Sequence, residues 1–119
     1  NELKENLLKV YDSKTAYPKC SWSKDNPTLG QCAVTSLIVK DYFGGDIYKH
    51  NKENHYFNVI DGKVIDLTKE QFDYELDYTD SRKKMPDLNS GKTRERYELL
   101  KEKLKHLGVN KWIIKVHVY

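Results

Sequence analysis

Apolar positions gather into five groups along the chain, and the polar stretches between and beside them hold the glycines and prolines. In the first, Leu3, Leu7, Leu8 and Val10 recur at mostly helical spacing among charged residues from Glu2 to Tyr11, which predicts a short amphipathic helix covering the core. The second, about Cys32 to Phe43, is apolar around much of a helical circumference through Ala33, Val34, Leu37, Ile38 and Val39. It predicts a central helix packed on more than one side. Val34, Thr35, Ile38 and Val39 are β-branched and would also suit a strand, but the length and the Gly44-Gly45 stop favour helix. Thr93 to Leu107 predicts another helix, with Tyr97, Leu100, Leu104 and Leu107 spaced by three and four and Gly108 as its stop. Lys111 to Tyr119 alternates and predicts a final strand that joins the sheet.

The remaining group, His55 to Thr68, is the most informative. Tyr56–Ile60 and Lys63–Leu67 are strand-like runs around Asp61-Gly62, the dipeptide of a two-residue type I′ hairpin. That turn sets the register: Ile60 opposes Lys63, Val59 opposes Val64, Asn58 opposes Ile65 and Phe57 opposes Asp66. Opposed residues share a face and strand side chains alternate, so His55, Phe57, Val59, Val64 and Asp66 project to one side. His55 and Asp66 are diagonal neighbours there, and a carboxylate among apolar residues needs a partner. Asp66 is also placed to cap the following turn, Leu67 to Phe72.

Three polar stretches connect these elements. Asp12 to Gly30 is long and irregular, with Trp22 inside Cys20-Ser21-Trp22-Ser23 and a turn at Asn26-Pro27. Lys49 to Asn54 reads as a polar loop containing His50, and Asp73 to Ser90 as an exposed excursion to which no chemistry attaches. A length of 119 residues fits one domain, 1–119, of α+β class. The net charge of +3 arises without a long basic block, so nucleic acid is not indicated. The two cysteines form no disulfide framework and no paired zinc-ligand spacing, which leaves a zinc site from Cys20, Cys32 and His55 without support. No apolar run approaches the roughly 18 residues of a membrane span, and no signal-peptide core is evident, so a cytoplasmic location is expected.

Cys32 opens the central helix, where unpaired backbone N–H groups and the helix dipole favour a thiolate. The alternative is that it packs as a small hydrophobe. Thiol chemistry needs a nucleophile, an imidazole that takes and returns a proton, and a group that orients the imidazole. Cys32, His55 and Asp66 supply these in chain order, provided the helix N-terminus packs on the sheet face that carries His55. His50, His106 and His117 occupy a loop, a charged helical surface and a terminal strand. Asn26, Gln31 or the Cys32 backbone N–H are the candidates for an oxyanion hole, and Trp22 and Asn58 for contact with substrate.

The segments Asn26 to Thr35, Asp41 to Ile47, His55 to Asn58 and Asp66 to Phe72, with Arg96-Tyr97 and Leu99-Leu100, resemble the YunG-like family of small bacterial proteins. More distantly, a cysteine that opens a helix, followed by His and Asp on neighbouring strands, resembles the papain-like and transglutaminase-like fold. That resemblance implies acyl chemistry at a thiol with a peptide, amide or acyl substrate and no metal or cofactor. The expectation is a thiol hydrolase or acyl/amide transferase. The alternative is a noncatalytic binding or regulatory module that keeps the fold and presents Trp22, Tyr56 and the long loop to a partner.

Overall fold

Helix α1 (Glu2–Val10) buries Leu3, Leu7 and Val10 while Leu8 stays exposed, the outcome of its amphipathic spacing. Helix α2 (Cys32–Phe43) is buried almost continuously from Val34 to Val39 and packs against helix α3 (Gly91–His106), which also meets α1. Tyr97, Leu100 and Leu104 are the buried stripe of α3, which begins two residues ahead of Thr93 with Ser90 at its N-cap. These positions come from a computed structural model that describes residues 2–84 and 88–109. The strand expected at Lys111–Tyr119 lies outside the described residues.

Four antiparallel strands make one sheet: β1 (Asp46–His50), β2 (Tyr56–Ile60), β3 (Lys63–Ile65) and β4 (Ser81–Lys84), in the order β3-β2-β1-β4. The β2–β3 register is the one the Asp61-Gly62 turn dictates, pairing Ile60 with Lys63, Val59 with Val64 and Asn58 with Ile65, but β3 ends at Ile65, short of the expected Leu67, so Phe57 and Asp66 are not a ladder pair. Both turn residues have positive φ, as type I′ geometry requires. Strand β1 begins at Asp46 and runs into the stretch from Lys49 that was expected to be a polar loop, and His50 at its end is buried, with Nδ1 accepting the backbone N–H groups of Lys52 and Glu53 at 3.1 Å each. The stretch expected to be an excursion contains β4, which pairs with β1 at the sheet edge through a charged sequence.

The two faces of β2 do different work. Asn58 and Ile60 face α2: the Asn58 amide donates to the Ser36 carbonyl at 3.0 Å, and Ile60 joins Val34, Ile38 and Leu100 in the core. Phe57 lies on the opposite face against Tyr78, with ring centroids 4.9 Å apart. The body of α2 therefore packs on the face that does not carry Phe57. Its first residue, Cys32, lies beside the segment that leads into β2, with its thiol 3.9 Å from the Asn54 carbonyl.

Candidate active site

The long loop before α2 is pinned rather than loose. The Tyr17 N–H donates to the Gly30 carbonyl at 3.0 Å, and the Gln31 amide donates to the Asp12 carbonyl at 3.0 Å. Gly30 has φ +83°, and a Cβ there would lie 2.2 Å from Ser21 Oγ and 3.1 Å from the Tyr17 carbonyl, so this position requires glycine. Its closure delivers Cys32 to the first position of α2. Gln31, at the N-cap, gives the helix no side-chain cap, so its side chain takes up none of the first-turn N–H groups beside Cys32. The Cys32 thiol is almost buried and points to the Asn54 carbonyl at 3.9 Å.

His55 follows Asn54 directly and is 0% exposed. Its Nε2 is 2.7 Å from Asp66 Oδ2, and the Cys32 thiol is near enough to bear on the charge of its ring. With Nε2 engaged by Asp66, Nδ1 is the nitrogen left for other partners. The ring meets Phe72 edge-on at 4.9 Å and lies near-parallel to Phe57 at 6.4 Å, a tight apolar seat. Burial by itself lowers the affinity of this ring for a proton. The hydrogen bond to Asp66 and the nearby Asp66 and Cys32 groups overcome that and raise its pKa to about 9.

Asp66 is equally occupied. Its Oδ2 also accepts the Tyr78 hydroxyl at 2.8 Å, and its Oδ1 accepts the Thr68 backbone N–H at 3.2 Å and the Thr68 hydroxyl at 3.4 Å. Asp66 thus orients the imidazole and caps the next turn at once. The Tyr78 phenol is pushed well above its ordinary range by burial and by the Asp66 carboxylate beside it. Gln71, at the end of that turn, places its amide nitrogen 3.2 Å from His55 Nδ1.

Cys32, His55 and Asp66 therefore meet, and four other sequence candidates do not join them. Gln31 is fully buried with its nitrogen on Asp12, and its oxygen has no hydrogen-bond partner among the described residues. Asn58 holds β2 to α2 on the other face of the strand. Trp22 packs against the core, and Asn26 shapes a turn with Ser23 and Leu29. Both cysteines are free thiols, Cys20 exposed and Cys32 buried. Thr68, Gln71 and Tyr78 escaped the sequence reading. Thr68 and Gln71 lie in a segment already singled out, at two and five residues after Asp66, the reach of a single capped turn. Nothing local marks Tyr78.

The arrangement has the parts of a nucleophile, a base and an orienting carboxylate. Among the described residues, no group of three or more His, Cys, Asp and Glu is placed to hold a metal ion, and no helix is long and apolar enough to cross a membrane. A family profile described as YunG protein matches residues 1–108. The chain is 33% identical over 92 residues to the uncharacterized protein YunG of Bacillus subtilis (strain 168), covering 76% of this chain and 80% of that protein. No solved structure matches the chain.

Proposed function

The chain belongs to the YunG family, and from its buried site we propose that it is a thiol-dependent hydrolase or acyl/amide transferase, of peptidase, amidase or deamidase type. The observation that carries this reading is the His55 ring, held by Asp66 at 2.7 Å on one nitrogen with the Cys32 thiol as its other ionisable partner. A structural histidine needs no thiol at the start of a helix beside it. The helix opened by Cys32, followed by antiparallel strands that bring His55 and Asp66 together, supports a papain-like, transglutaminase-like core. Two free thiols support a reducing, cytoplasmic setting.

In the reaction, the Cys32 proton passes to His55 Nδ1 as Sγ attacks the acyl carbon. The carbonyl oxygen takes up the electron pair, and the N–H groups of the first α2 turn, including that of Cys32, face the developing charge. The pair returns as the C–N or C–O bond breaks, and His55 gives its proton to the departing amine or alcohol, leaving a thioester on Cys32. Water or an acceptor amine then loses a proton to His55 as it attacks, and the thiolate departs and recovers that proton. Asp66 holds the ring through both halves.

Incubation with p-nitrophenyl acetate followed by mass spectrometry tests the reading in a Cys20→Ser background. A burst of nitrophenol with one acetyl group on Cys32, lost in His55→Ala, is expected. Acetylation of Cys32 at equal rates with and without His55 would overturn it in favour of a noncatalytic module.

A further inference from the structure

Gln71 touches the site, yet neither the attack by Cys32 nor the pairing with Asp66 explains it. Its amide nitrogen lies 3.1 Å from the Thr68 carbonyl, 3.1 Å from the Thr68 hydroxyl and 3.2 Å from His55 Nδ1. Turned the other way, Gln71 would set its own carbonyl oxygen against that of Thr68, so the nitrogen belongs where it is. Its contact with Nδ1 is then attractive only if Nδ1 is an acceptor. Nε2 in that state carries the proton and donates it to Asp66 Oδ2. One turn, Asp66 through Gln71, thus supplies a partner to each nitrogen of the same ring.

We propose that Gln71 is a positioning residue that favours the neutral, Nε2-protonated form of His55 over the doubly protonated one and competes with the Cys32 thiol for the Nδ1 lone pair. The inference rests on the thiol reading above and adds a control to it. When the thiol proton moves to Nδ1, the new N–H faces the Gln71 N–H, and that hydrogen bond is lost until the amide turns its oxygen inward. Formation of the thiolate–imidazolium pair is therefore set against the Gln71 contact, and substrate that displaces or rotates this amide releases the pair. The ionisable groups facing the ring are the Cys32 thiol from α2 and the Asp66 carboxyl beyond β3. Behind them stand the phenols of Tyr78 and Tyr11 and the Glu70 carboxyl. Asp66 and Cys32 draw a proton onto the ring, and Gln71 acts in the opposite sense.

The test follows the His55 ring nitrogens by nitrogen-15 NMR from about pH 5 to 10, in a Cys20→Ser background, for the parent, Gln71→Leu and Gln71→Glu. The neutral parent ring is expected to show a bare Nδ1 and a protonated Nε2. Gln71→Leu should raise the proton affinity of His55 roughly three- to tenfold, the worth of one lost hydrogen bond. Gln71→Glu, which accepts from a protonated Nδ1, should raise it further and, being nearly isosteric, carries the test if Gln71→Leu does not fold. Iodoacetamide labelling of Cys32 at about pH 6 should quicken by a similar factor in both. A His55 titration unmoved in the folded variants, or a neutral parent ring protonated at Nδ1, overturns the proposal. If the parent Cys32 labels no faster than free cysteine, the thiol-enzyme reading fails instead, and the ring titration still judges Gln71.

Discussion

His55 and Asn58 stand three residues apart at one strand, both polar and both buried, yet they face opposite sides of the sheet. Asn58 meets a backbone carbonyl of α2 through a neutral amide, and its contact does one thing, fixing the central helix on the strand. His55 meets a carboxylate, a thiol and a glutamine amide, and its state depends on where one proton sits. Burial alone does not mark a functional residue. The distinction lies in whether the partners can exchange a proton with it.

Removing each residue should separate the two roles. His55→Ala is expected to have the largest effect, because it leaves the Asp66 carboxylate buried without its cationic partner, at a cost of about 3–5 kcal/mol in urea unfolding. Cys32 labelling should fall to that of a free thiol in whatever fraction stays folded. Asn58→Ala should cost about 1–3 kcal/mol by removing a buried hydrogen bond and leaving a cavity where the amide stood, while the Ser36 carbonyl keeps its partner within α2. It should leave the labelling rate of folded protein within about twofold, and a collapse of that rate would break the contrast.

The dependence on pH sharpens it further. The folded pKa of His55 is raised from 6.5 to about 9, so the pairing contributes fully below about pH 6.5 and is lost as pH rises through 9. Thermal unfolding should show the melting temperature falling across that window. Asp66→Asn should flatten the fall, whereas Asn58→Ala should keep it. Tyr78→Phe is the mildest change, removing one of four donors to Asp66, with an expected loss of about 0.5–1.5 kcal/mol by the same unfolding assay.

Local rules made part of this legible. Asp61-Gly62 fixes a register by its own backbone preference, and that register brings His55 and Asp66 together through local contacts alone. Gly44-Gly45 likewise ended α2 where the periodicity did. Strand β1 was missed because Asp46, Tyr48 and Lys49 are only partly covered, leaving Ile47 as its lone buried apolar side chain. Strand β4, with Arg82, Lys83 and Lys84, has the composition of a protected edge rather than a core strand. Gln31 stood next to Cys32 in sequence and so drew attention as an oxyanion donor, but its amide direction is set by Asp12, nineteen residues earlier. Tyr78, twelve residues after Asp66, reaches it only once the chain between them has folded back. Sequence spacing conveys contacts within a turn or a hairpin, and these two belong to neither.

The most direct test is the rate of Cys32 alkylation by iodoacetamide at about pH 6.5, in a Cys20→Ser background with free cysteine as the reference. Labelling well above the reference, and reduced at least tenfold by His55→Gln in protein that remains folded, is the result expected of a thiol activated by the Asp66-held imidazole. Labelling at or below the reference, unchanged by that substitution, would contradict it and leave Cys32 a packed side chain beside a structural histidine.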